Sequence, residues 1–225
     1  MNVMTSDMSD VIIDRDGPVL VVGGGATDPD LLTRDAARAA ALVAADGGAA
    51  VCLAAGLTPD AVIGDMDSIP GPVRARIPAA RVHEIAEQES TDFDKCLRSI
   101  RAPLVLGHGF LGARLDHALA ALTVLARRSG QRCLLIGPED AVALAPPRIA
   151  LDLEPGTRLS LYPLGSAGGR SEGLHWPVDG IAFRPDRTVG TSNEATGPVT
   201  LVTDAPRLLV MVPLAQAGRL EAGLR

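Results

Sequence analysis

Short apolar runs recur through the first 140 residues, and several of them end in glycine or aspartate. They span residues 18–25, 42–46, 61–65, 82–86, 102–109 and 131–137. Within each run the apolar residues are nearly continuous, which is typical of strands that are buried on both faces of a parallel sheet.

Segments with helical spacing lie between several of these runs, over residues 28–42, 91–100 and 113–130. Pro29 stands near the start of the first, Thr91 or Asp92 is placed to cap the second, and Gly130 ends the third. The alternation of strands and helices predicts right-handed crossovers and a mostly parallel sheet. Such sheets bind ligands at the carboxyl ends of their strands.

The pattern changes after about residue 140, where short runs that alternate polar and apolar residues lie between prolines and glycines. These runs cover residues 148–154, 157–165, 198–203 and 207–214, and no helix is predicted there. We therefore predict an α/β protein with a Rossmann-like, mostly parallel sheet and flanking helices in residues 17–145. An antiparallel β-sandwich is predicted for residues 146–225, and a polar tail for residues 1–16.

Composition narrows the class of protein. The chain has 225 residues, of which 47% are hydrophobic and 21% charged, so it is globular. The net charge of −6 argues against nonspecific nucleic-acid binding. Three widely spaced cysteines suggest buried thiols in a reducing compartment. The first 15 residues do not resemble a signal peptide and no run is long enough to span a bilayer, so we expect a cytoplasmic protein without a membrane partner.

Two aspartates, Asp65 and Asp67, follow the run at 61–65 directly. Paired carboxylates at a strand end suit Mg²⁺, which takes oxygen ligands and keeps sites for substrate phosphates. A solvated turn is the alternative, and the two aspartates alone leave both open. A phosphate-binding loop of the G-K-[ST] type is excluded, because the single lysine, Lys95, follows Asp94.

Three further groups have a structural and a functional interpretation each. Thr91 and Asp92 could cap a helix, or their helix end could face phosphate oxygens. Arg114 and Asp116 lie near another helix start. An arginine there either donates two parallel hydrogen bonds to phosphate oxygens or is simply exposed to solvent. Trp176 is either a core residue or a stacking wall beside the polar turn predicted at 191–197.

Six motifs in this order resemble the thiamine pyrophosphokinase family, and the resemblance as a whole extends over about residues 19–213. They are ADGGA at 45–49, PDAVIGDMDSI at 59–69, EQESTDFDKCL at 87–97, GFLGARLDH at 109–117, GLHWP at 173–177 and SNE at 192–194. Each motif is weak alone, but six in order are specific. The chain departs from the family at three positions. Members usually have Asn at the position of Ala50, often have Lys at that of Gln88, and often have Asp at that of Glu89.

The resemblance implies transfer of pyrophosphate from ATP to the hydroxyl of thiamine, by a homodimer with its active sites at the subunit interface. It implies Mg²⁺ as cofactor, a nucleotide-binding first domain and a thiamine-binding second domain. The residues that it assigns to catalysis are Asp65, Asp67, Asp92, Arg114 and Asp116, with Asp65, Asp67 and Asp92 on the metal. It assigns ATP binding to Asp46, Gly47, Gln88, Thr91, Asp92, Arg114 and Asp116, and thiamine binding to Trp176, Ser192 and Asn193.

Two alternatives stay open at this stage. One is a pyrophosphokinase for another heterocyclic alcohol, such as a hydroxymethylpterin. The other is a noncatalytic nucleotide- or thiamine-binding protein, although such a protein would be expected to have lost some of the metal carboxylates, and all are present here.

Overall fold

The computed structural model describes residues 11–112 and 114–225, which form six α-helices and fourteen strands. The helices are α1 (Pro29–Arg38), α2 (Gly48–Ala54), α3 (Gly71–Arg74), α4 (Asp92–Arg98), α5 (Leu115–Arg127) and α6 (Ala217–Leu224). The strands of the first half are β1 (Ile13–Asp14), β2 (Val19–Val22), β3 (Ala41–Ala45), β4 (Ala61–Gly64), β5 (Val82–Glu84), β6 (Ile100–Arg101), β7 (Val105–His108) and β8 (Cys133–Ile136). The remaining strands are β9 (Asp140–Leu144), β10 (Arg148–Leu151), β11 (Arg158–Pro163), β12 (Gly169–Leu174), β13 (Gly190–Thr203) and β14 (Leu208–Pro213).

Twelve of these strands form one large mixed sheet. Six pair in parallel, in the order β5-β4-β3-β2-β7-β8. The sheet continues through antiparallel pairs from β8 to β9, β14, β11 and β13, and β13 also pairs with β10 and β12. The carboxyl ends of the parallel strands therefore share one edge, and that edge holds the aspartates identified from the sequence.

Apolar side chains on the two faces of the parallel strands form two separate cores. In β2, Leu20 and Val22 pack with α1, α2 and α6, whereas Val19 and Val21 pack with α4 and α5. Every residue of β2 is fully buried, as its unbroken apolar sequence predicts. The helices thus cover both faces of this part of the sheet.

The structure corrects four expectations. Helix α6 lies in the half where no helix was predicted; Leu220 and Leu224 are buried one turn apart, but Gly218 and Gly223 weaken its helical signal. Helix α2 was not predicted either. The expected turn at 191–197 is part of strand β13. In the expected polar tail, Ile13 is buried and β1 pairs with β6; residues 1–10 of that tail lie outside the described part of the chain.

Smaller differences concern helix ends. Helix α1 stops at Arg38 rather than continuing to Leu42, because Ala41 already pairs with Val19 in the sheet. Helix α5 starts at Leu115 and ends at Arg127, inside the predicted span of 113–130. Its predicted first residue, Ala113, is outside the described residues. Thr91, rather than Asp92, caps α4 with its side chain.

Candidate active site at the carboxyl edge of the sheet

Three aspartates come together at the ends of β3 and β4. Asp46 follows β3, and Asp65 and Asp67 follow β4; one carboxylate oxygen from each lies within 4.8 Å of the others. Asp46 and Met66 have positive φ angles of 42° and 68°, which turn the chain sharply at both strand ends. The parallel order of the strands predicts that side chains at these strand ends lie close together, as these three carboxylates do.

Asp46 is the buried member of this group, with 3% of its surface exposed. Its Oδ2 accepts a hydrogen bond from the backbone N–H of Ser68 at 3.1 Å, but its buried Oδ1 has no partner among the described residues. Burial raises the pKa of Asp46, and the nearby charges of Asp92 and Asp65 raise it further. A buried carboxylate oxygen without a donor is costly, so this atom is suited to a cation. The residues present therefore fit a divalent metal with oxygen ligands.

Asp65 is held from two sides. The Gln88 side-chain amide donates to its Oδ2 at 2.8 Å, and the Lys95 ammonium lies 3.6 Å from the same oxygen. The hydrogen bond from Gln88 is the main cause of the lowered pKa of Asp65, and the charge of Lys95 contributes. Asp65 is therefore ionised and oriented before any ligand binds.

Lys95 is a functional candidate that the sequence analysis missed. Its side chain is 1% exposed, and Nζ donates to Asp92 Oδ1 at 3.0 Å. Asp92 and Lys95 are three residues apart on α4, a spacing that brings side chains together on one helix face and could have revealed the pair. Lys95 balances part of the negative charge that Asp65 and Asp92 bring to the site.

Gly64 makes the close approach of these acids possible. A Cβ atom at this position would lie 2.7 Å from Asp46 Cβ and 3.0 Å from Asp92 Oδ1. Any side chain would therefore push apart two of the acidic residues. Asp92 was predicted as a metal ligand, whereas the three-carboxylate cluster contains Asp46 in its place, and Asp92 contacts Lys95.

Thr91 and Asp94 fix the helix that carries Asp92 and Lys95. Thr91 Oγ1 accepts from the backbone N–H of Asp94 at 3.2 Å, which caps α4. The Asp94 carboxylate, 2% exposed, receives two hydrogen bonds from Arg128, at 2.7 and 2.9 Å. Burial alone would raise the pKa of Asp94, but Arg128 and other arginines outweigh it and lower the pKa. Asp94 thus joins α4 to the end of α5.

We expect Asp94→Ala to lower the free energy of unfolding by about 2 kcal/mol, because it removes charged hydrogen bonds from a buried site. The pKa of Asp94 is lowered in the folded state, so its contribution is complete above the ordinary carboxyl range and is lost as pH falls. Urea unfolding should show the difference at pH 7 and a smaller one in acid. Asp152→Ala, which removes an exposed ion pair with Arg219, is the matched control and should change little. Equal stability of the two variants would contradict the role of Asp94.

Arg114 and Asp116 lie at the start of α5 and are both about two-thirds exposed. The Arg114 guanidinium forks onto Asp116, with Nε–Oδ1 and Nη2–Oδ2 distances of 3.2 and 2.6 Å. The hydrogen bonds that Arg114 donates lower the pKa of Asp116. Among the described residues, Arg114 forms no hydrogen bond or ion pair with the three-carboxylate cluster, and most of its guanidinium-bearing side chain is exposed to solvent.

Trp176 lies elsewhere, in the second half of the chain, with 57% of its surface exposed. It lines a cavity of about 210 Å³ together with apolar side chains and Asn193. Asn193 is buried and clamps Trp176 through both backbone groups: its Oδ1 accepts from Trp176 N at 3.2 Å and its Nδ2 donates to Trp176 O at 2.7 Å. Ser192 has a φ of 60°, and its N–H donates to Ser160 Oγ at 3.0 Å.

The predicted site residues thus fall into separate groups. The largest group lies around the carboxyl ends of β3 and β4 and consists of Asp46, Gly47, Asp65, Asp67, Gln88, Thr91 and Asp92. Arg114 and Asp116 stand apart at the start of α5, and the described residues that line the Trp176 cavity include none of the acidic ones. Within one copy of the chain, the cavity beside Trp176 and the three-carboxylate cluster therefore share no described residue.

Two models of known protein families match successive parts of the chain. The sequence model described as "Thiamin pyrophosphokinase, catalytic domain" matches residues 33–135, and "Thiamin pyrophosphokinase, vitamin B1 binding domain" matches residues 148–208. The chain belongs to the thiamine pyrophosphokinase family. The first match contains the acidic cluster and Arg114, and the second contains Trp176 and Asn193.

Two plant members of the thiamine pyrophosphokinase family show the extent of the similarity. The chain is 29% identical over 175 residues to thiamine pyrophosphokinase 1 of Oryza sativa subsp. japonica, covering 69% of this chain and 66% of that protein. It is 32% identical over 155 residues to thiamine pyrophosphokinase 1 of Arabidopsis thaliana, covering 60% and 58%. The chain therefore spans less than two thirds of the length of these relatives.

Solved structures support the thiamine pyrophosphokinase fold. The structure of thiamine pyrophosphokinase from Bacillus subtilis superposes with a TM-score of 0.70 at 23% identity, covering 87% of this chain and 98% of that one. The Candida albicans structure gives a TM-score of 0.73 at 15% identity, covering 89% and 91%. At these identities the comparison bears on the fold alone.

Two expectations about composition can also be compared with the structure. Cys52, Cys96 and Cys133 are buried free thiols, as predicted. Across residues 11–112 and 114–225, none of the helices has the length and apolar character required to cross a bilayer.

Proposed function

We propose that the protein transfers a pyrophosphoryl group from ATP to the hydroxyl of thiamine, with AMP as the second product. The observation that carries this proposal is the buried, unpartnered Oδ1 of Asp46 within a group of three carboxylates, in a chain of this family. A cluster of acids held that closely is suited to a cation, and a site for one is what phosphoryl transfer from a nucleotide requires.

Mg²⁺ is the proposed cation, with Asp46, Asp65 and Asp67 as the residues that would hold it. Bound there, the ion supplies neutralisation of phosphate charge. Asp92, although implied as a ligand by the family resemblance, is proposed to act beside it through Lys95. Gln88 and Lys95 keep Asp65 ionised and oriented.

The chain's own contribution to catalysis is positioning and charge. The hydroxyl oxygen of thiamine gives up its proton to a nearby carboxylate and forms a bond to the β-phosphorus, and the bond from that phosphorus to the bridging oxygen of AMP breaks. Arg114, whose guanidinium is exposed at the start of α5, is proposed to fork onto phosphate oxygens, with Asp116 keeping it oriented. No covalent intermediate with a side chain is required.

We further propose that the two parts of the chain bind different substrates. Residues 17–145 would be a Rossmann-like nucleotide-binding domain, and residues 146–225 a β-sandwich that binds thiamine. Trp176 offers an exposed indole face, and Ser192 and Asn193 shape the wall around it. The buried free thiols are consistent with a cytoplasmic location.

A homodimer with active sites at the subunit interface completes this proposal. It is supported by the lack of any acidic residue among the described residues that line the Trp176 cavity, and by large exposed apolar side chains, among them Leu115 at 71%, Leu119 at 55% and Trp176 at 57%. The cavity beside Trp176, about 210 Å³, is also smaller than ordinary ligand pockets of roughly 300–1,000 Å³. Light scattering after size exclusion should give twice the mass of the chain, and a monomer with full activity would refute the shared site.

Incubation with ATP, Mg²⁺ and thiamine tests the function directly. Thiamine diphosphate and AMP should appear in equal amounts, and neither should form when thiamine is left out. Formation of ADP and thiamine monophosphate, or no product at all, would refute the proposed reaction. A hydroxymethylpterin in place of thiamine should give no product.

Trp176→Ala should raise the KM for thiamine by roughly 30-fold, since a desolvated cation–π contact with the thiazolium is worth about 2 kcal/mol. The KM for ATP should stay the same, because the nucleotide is assigned to the other half of the chain. Steady-state kinetics with each substrate varied in turn provides the measurement. Trp176→Phe keeps an aromatic face and should recover most of the affinity. If the thiamine KM is unchanged in Trp176→Ala, the residue does not contact thiamine.

A further inference from the structure

Residues 86–90 lie between β5 and α4 and carry Gln88, and in this segment secondary structure does not hold the main chain. The two ends are fixed, because the Ile85 N–H donates to the Gly64 carbonyl at 2.7 Å and the Thr91 side chain caps α4. Between these ends, no main-chain group of residues 86–90 forms a hydrogen bond with another main-chain group in the described part of the chain. Side chains must therefore hold the segment in place.

The Glu87 carboxylate accepts the hydrogen bonds that hold this segment together. Its Oε2 accepts from the N–H groups of Glu89 and Ser90, at 2.8 and 3.0 Å. Its Oε1 accepts from the Ser90 hydroxyl and from Arg98 Nη2, the latter at 2.9 Å. Four donor groups from three residues thus converge on one side chain, which closes residues 87–90 into a compact turn.

Glu87 is suited to this role because it is charged at neutral pH. The hydrogen bond from the Ser90 hydroxyl contributes most to lowering the pKa of Glu87, which falls to about 2, and the other donors contribute as well. An ionised carboxylate only accepts hydrogen bonds, so all of its lone pairs are available to the turn. Hydrogen bonds to a charged acceptor are also stronger than those between neutral groups.

Arg98 joins this turn to the helix that carries another neighbour of Asp65. It lies one turn after Lys95 on α4, and Lys95 Nζ is 3.6 Å from Asp65 Oδ2. The ion pair between Arg98 and Glu87 therefore attaches the turn to the helix from which Lys95 reaches this oxygen. Gln88 and Lys95 approach the same oxygen from different elements, and the pair of Glu87 with Arg98 connects the two elements.

The position of Gln88 matters because its side-chain amide orients Asp65, with 2.8 Å between Nε2 and Oδ2. Gln88 is itself exposed, so packing does not fix its side chain. Without the turn, Gln88 would move with its main chain, and Asp65 would lose a fixed orientation. Loss of the partner that orients a metal ligand typically weakens metal binding or activity by roughly 10–100-fold.

We propose that Glu87 is a positioning residue: it fixes the turn at 87–90, and through Gln88 it holds Asp65 in the orientation that binds the metal. The inference rests on the proposed function, in which Asp65 is a metal ligand. Glu87 is in none of the groups assigned above to ATP, thiamine or metal. Glu87→Ala should weaken Mg²⁺ binding and lower kcat, each by about tenfold, and leave the KM for thiamine unchanged.

Nitrogen relaxation of the side-chain amides tests the positioning in the absence of metal and substrates, since the chain has only three glutamines. The Gln88 amide should relax as an immobile group in the wild-type protein and as a freely rotating side chain in Glu87→Ala. Gln131, whose amide donates to the Ala102 carbonyl at 2.9 Å, should relax in the same way in both proteins. A Gln88 amide that stays immobile in Glu87→Ala would overturn the proposal.

A double-mutant cycle separates an effect that acts through Gln88 from an independent one. If Glu87 acts through Gln88, then Gln88→Ala and the double variant Glu87→Ala/Gln88→Ala should have the same kcat and the same Mg²⁺ affinity. The affinity is measured by calorimetry without ATP. Losses that add in the double variant would overturn the proposal.

Two further variants separate positioning from loss of charge or of folding. Glu87→Gln keeps a side-chain oxygen that can accept from the two N–H groups, and it should recover part of the Mg²⁺ affinity. Glu84→Ala removes an exposed carboxylate from the end of β5 and is the matched control, which should behave as the wild-type protein. Equal losses of Mg²⁺ affinity in Glu84→Ala and Glu87→Ala would reduce the effect to general electrostatics and refute the positioning role.

The outcomes separate this inference from the proposed function. Turnover of ATP and thiamine by Glu87→Ala with the kcat and Mg²⁺ affinity of the wild-type protein overturns the positioning role and leaves the function in place. A mobile Gln88 amide and tenfold weaker Mg²⁺ binding in Glu87→Ala, in a protein that forms no thiamine diphosphate, support the positioning of Asp65 and refute the function.

Discussion

Asp65→Asn is expected to lower kcat by about 10³-fold, which corresponds to about 4 kcal/mol of transition-state stabilisation. The neutral amide keeps the shape of the side chain and can still accept from Gln88, but it removes a charged ligand from the proposed metal site. The fold should be retained, because the change relieves repulsion from Asp46 and Lys95 keeps its shorter contact with Asp92. The thermal midpoint should therefore be unchanged or higher.

The measurements are kcat as a function of Mg²⁺ concentration and Mg²⁺ affinity by calorimetry in the absence of ATP. Asp60→Asn is the matched control at the other end of the same strand, where the carboxylate accepts from Leu42 N–H and an amide oxygen can do the same. Asp67→Asn should resemble Asp65→Asn. An Asp65→Asn enzyme with wild-type activity at limiting Mg²⁺ would show that Asp65 is not a metal ligand.

Arg114→Ala should reduce kcat by about 10²–10³-fold. Charge-neutralising arginines contribute roughly 10³–10⁵ in phosphoryl transfer, and Mg²⁺ is expected to share that role here. Arg114→Lys should recover only part of the activity, because a single ammonium cannot replace two parallel donors. Little change in stability is expected, since both Arg114 and Asp116 are largely exposed.

The chain provides a close control for this variant. Arg184 makes the same kind of fork with Asp186, two residues further along, and both side chains are exposed in the second half of the chain. Arg184→Ala should leave kcat and both KM values unchanged. If Arg114→Ala also leaves the rate in single-turnover assays unchanged, Arg114 is a surface residue and the proposed phosphate contact is wrong.

Local sequence pattern was sufficient for most of the parallel strands. Runs such as 18–25 are apolar at every position, and burial on both faces leaves few other options for a segment of this length. The position of Asp65 also followed from pattern, because a carboxylate after such a run must lie at the carboxyl edge. Helix α6 was missed since two glycines interrupt its apolar spacing, and its burial depends on contacts with β10 rather than on its own propensity.

The sequence predicted which acidic residues lie in the site, but not which hydrogen-bond and ion-pair partners they have. Sequence placed Asp46, Asp65 and Asp92 near one another, yet it could not show that Asp46 has the unpartnered oxygen or that Lys95 is buried against Asp92. Both properties belong to a tightly packed region around Gly64, where a Cβ atom would lie 2.7 Å from Asp46 Cβ and 3.0 Å from Asp92 Oδ1. The buried contact between His108 Nε2 and Asp35 Oδ2, at 2.9 Å, could not be predicted either, because the two residues are distant in sequence and meet only when α1 packs on the sheet.

The pairing of β9 with β14 has a consequence for how the protein is made. Strand β9 closes the parallel half of the sheet, but its outer neighbour is synthesised only after β10, β11, β12 and β13. At roughly 5–20 residues per second, the hydrogen-bonding edge of β9 stays open on the ribosome for several seconds. Open strand edges invite pairing with other chains. The nascent protein therefore passes through a stage in which the parallel half of its sheet is nearly complete but vulnerable to aggregation, and its yield in cells should depend on how quickly Leu208–Pro213 emerges.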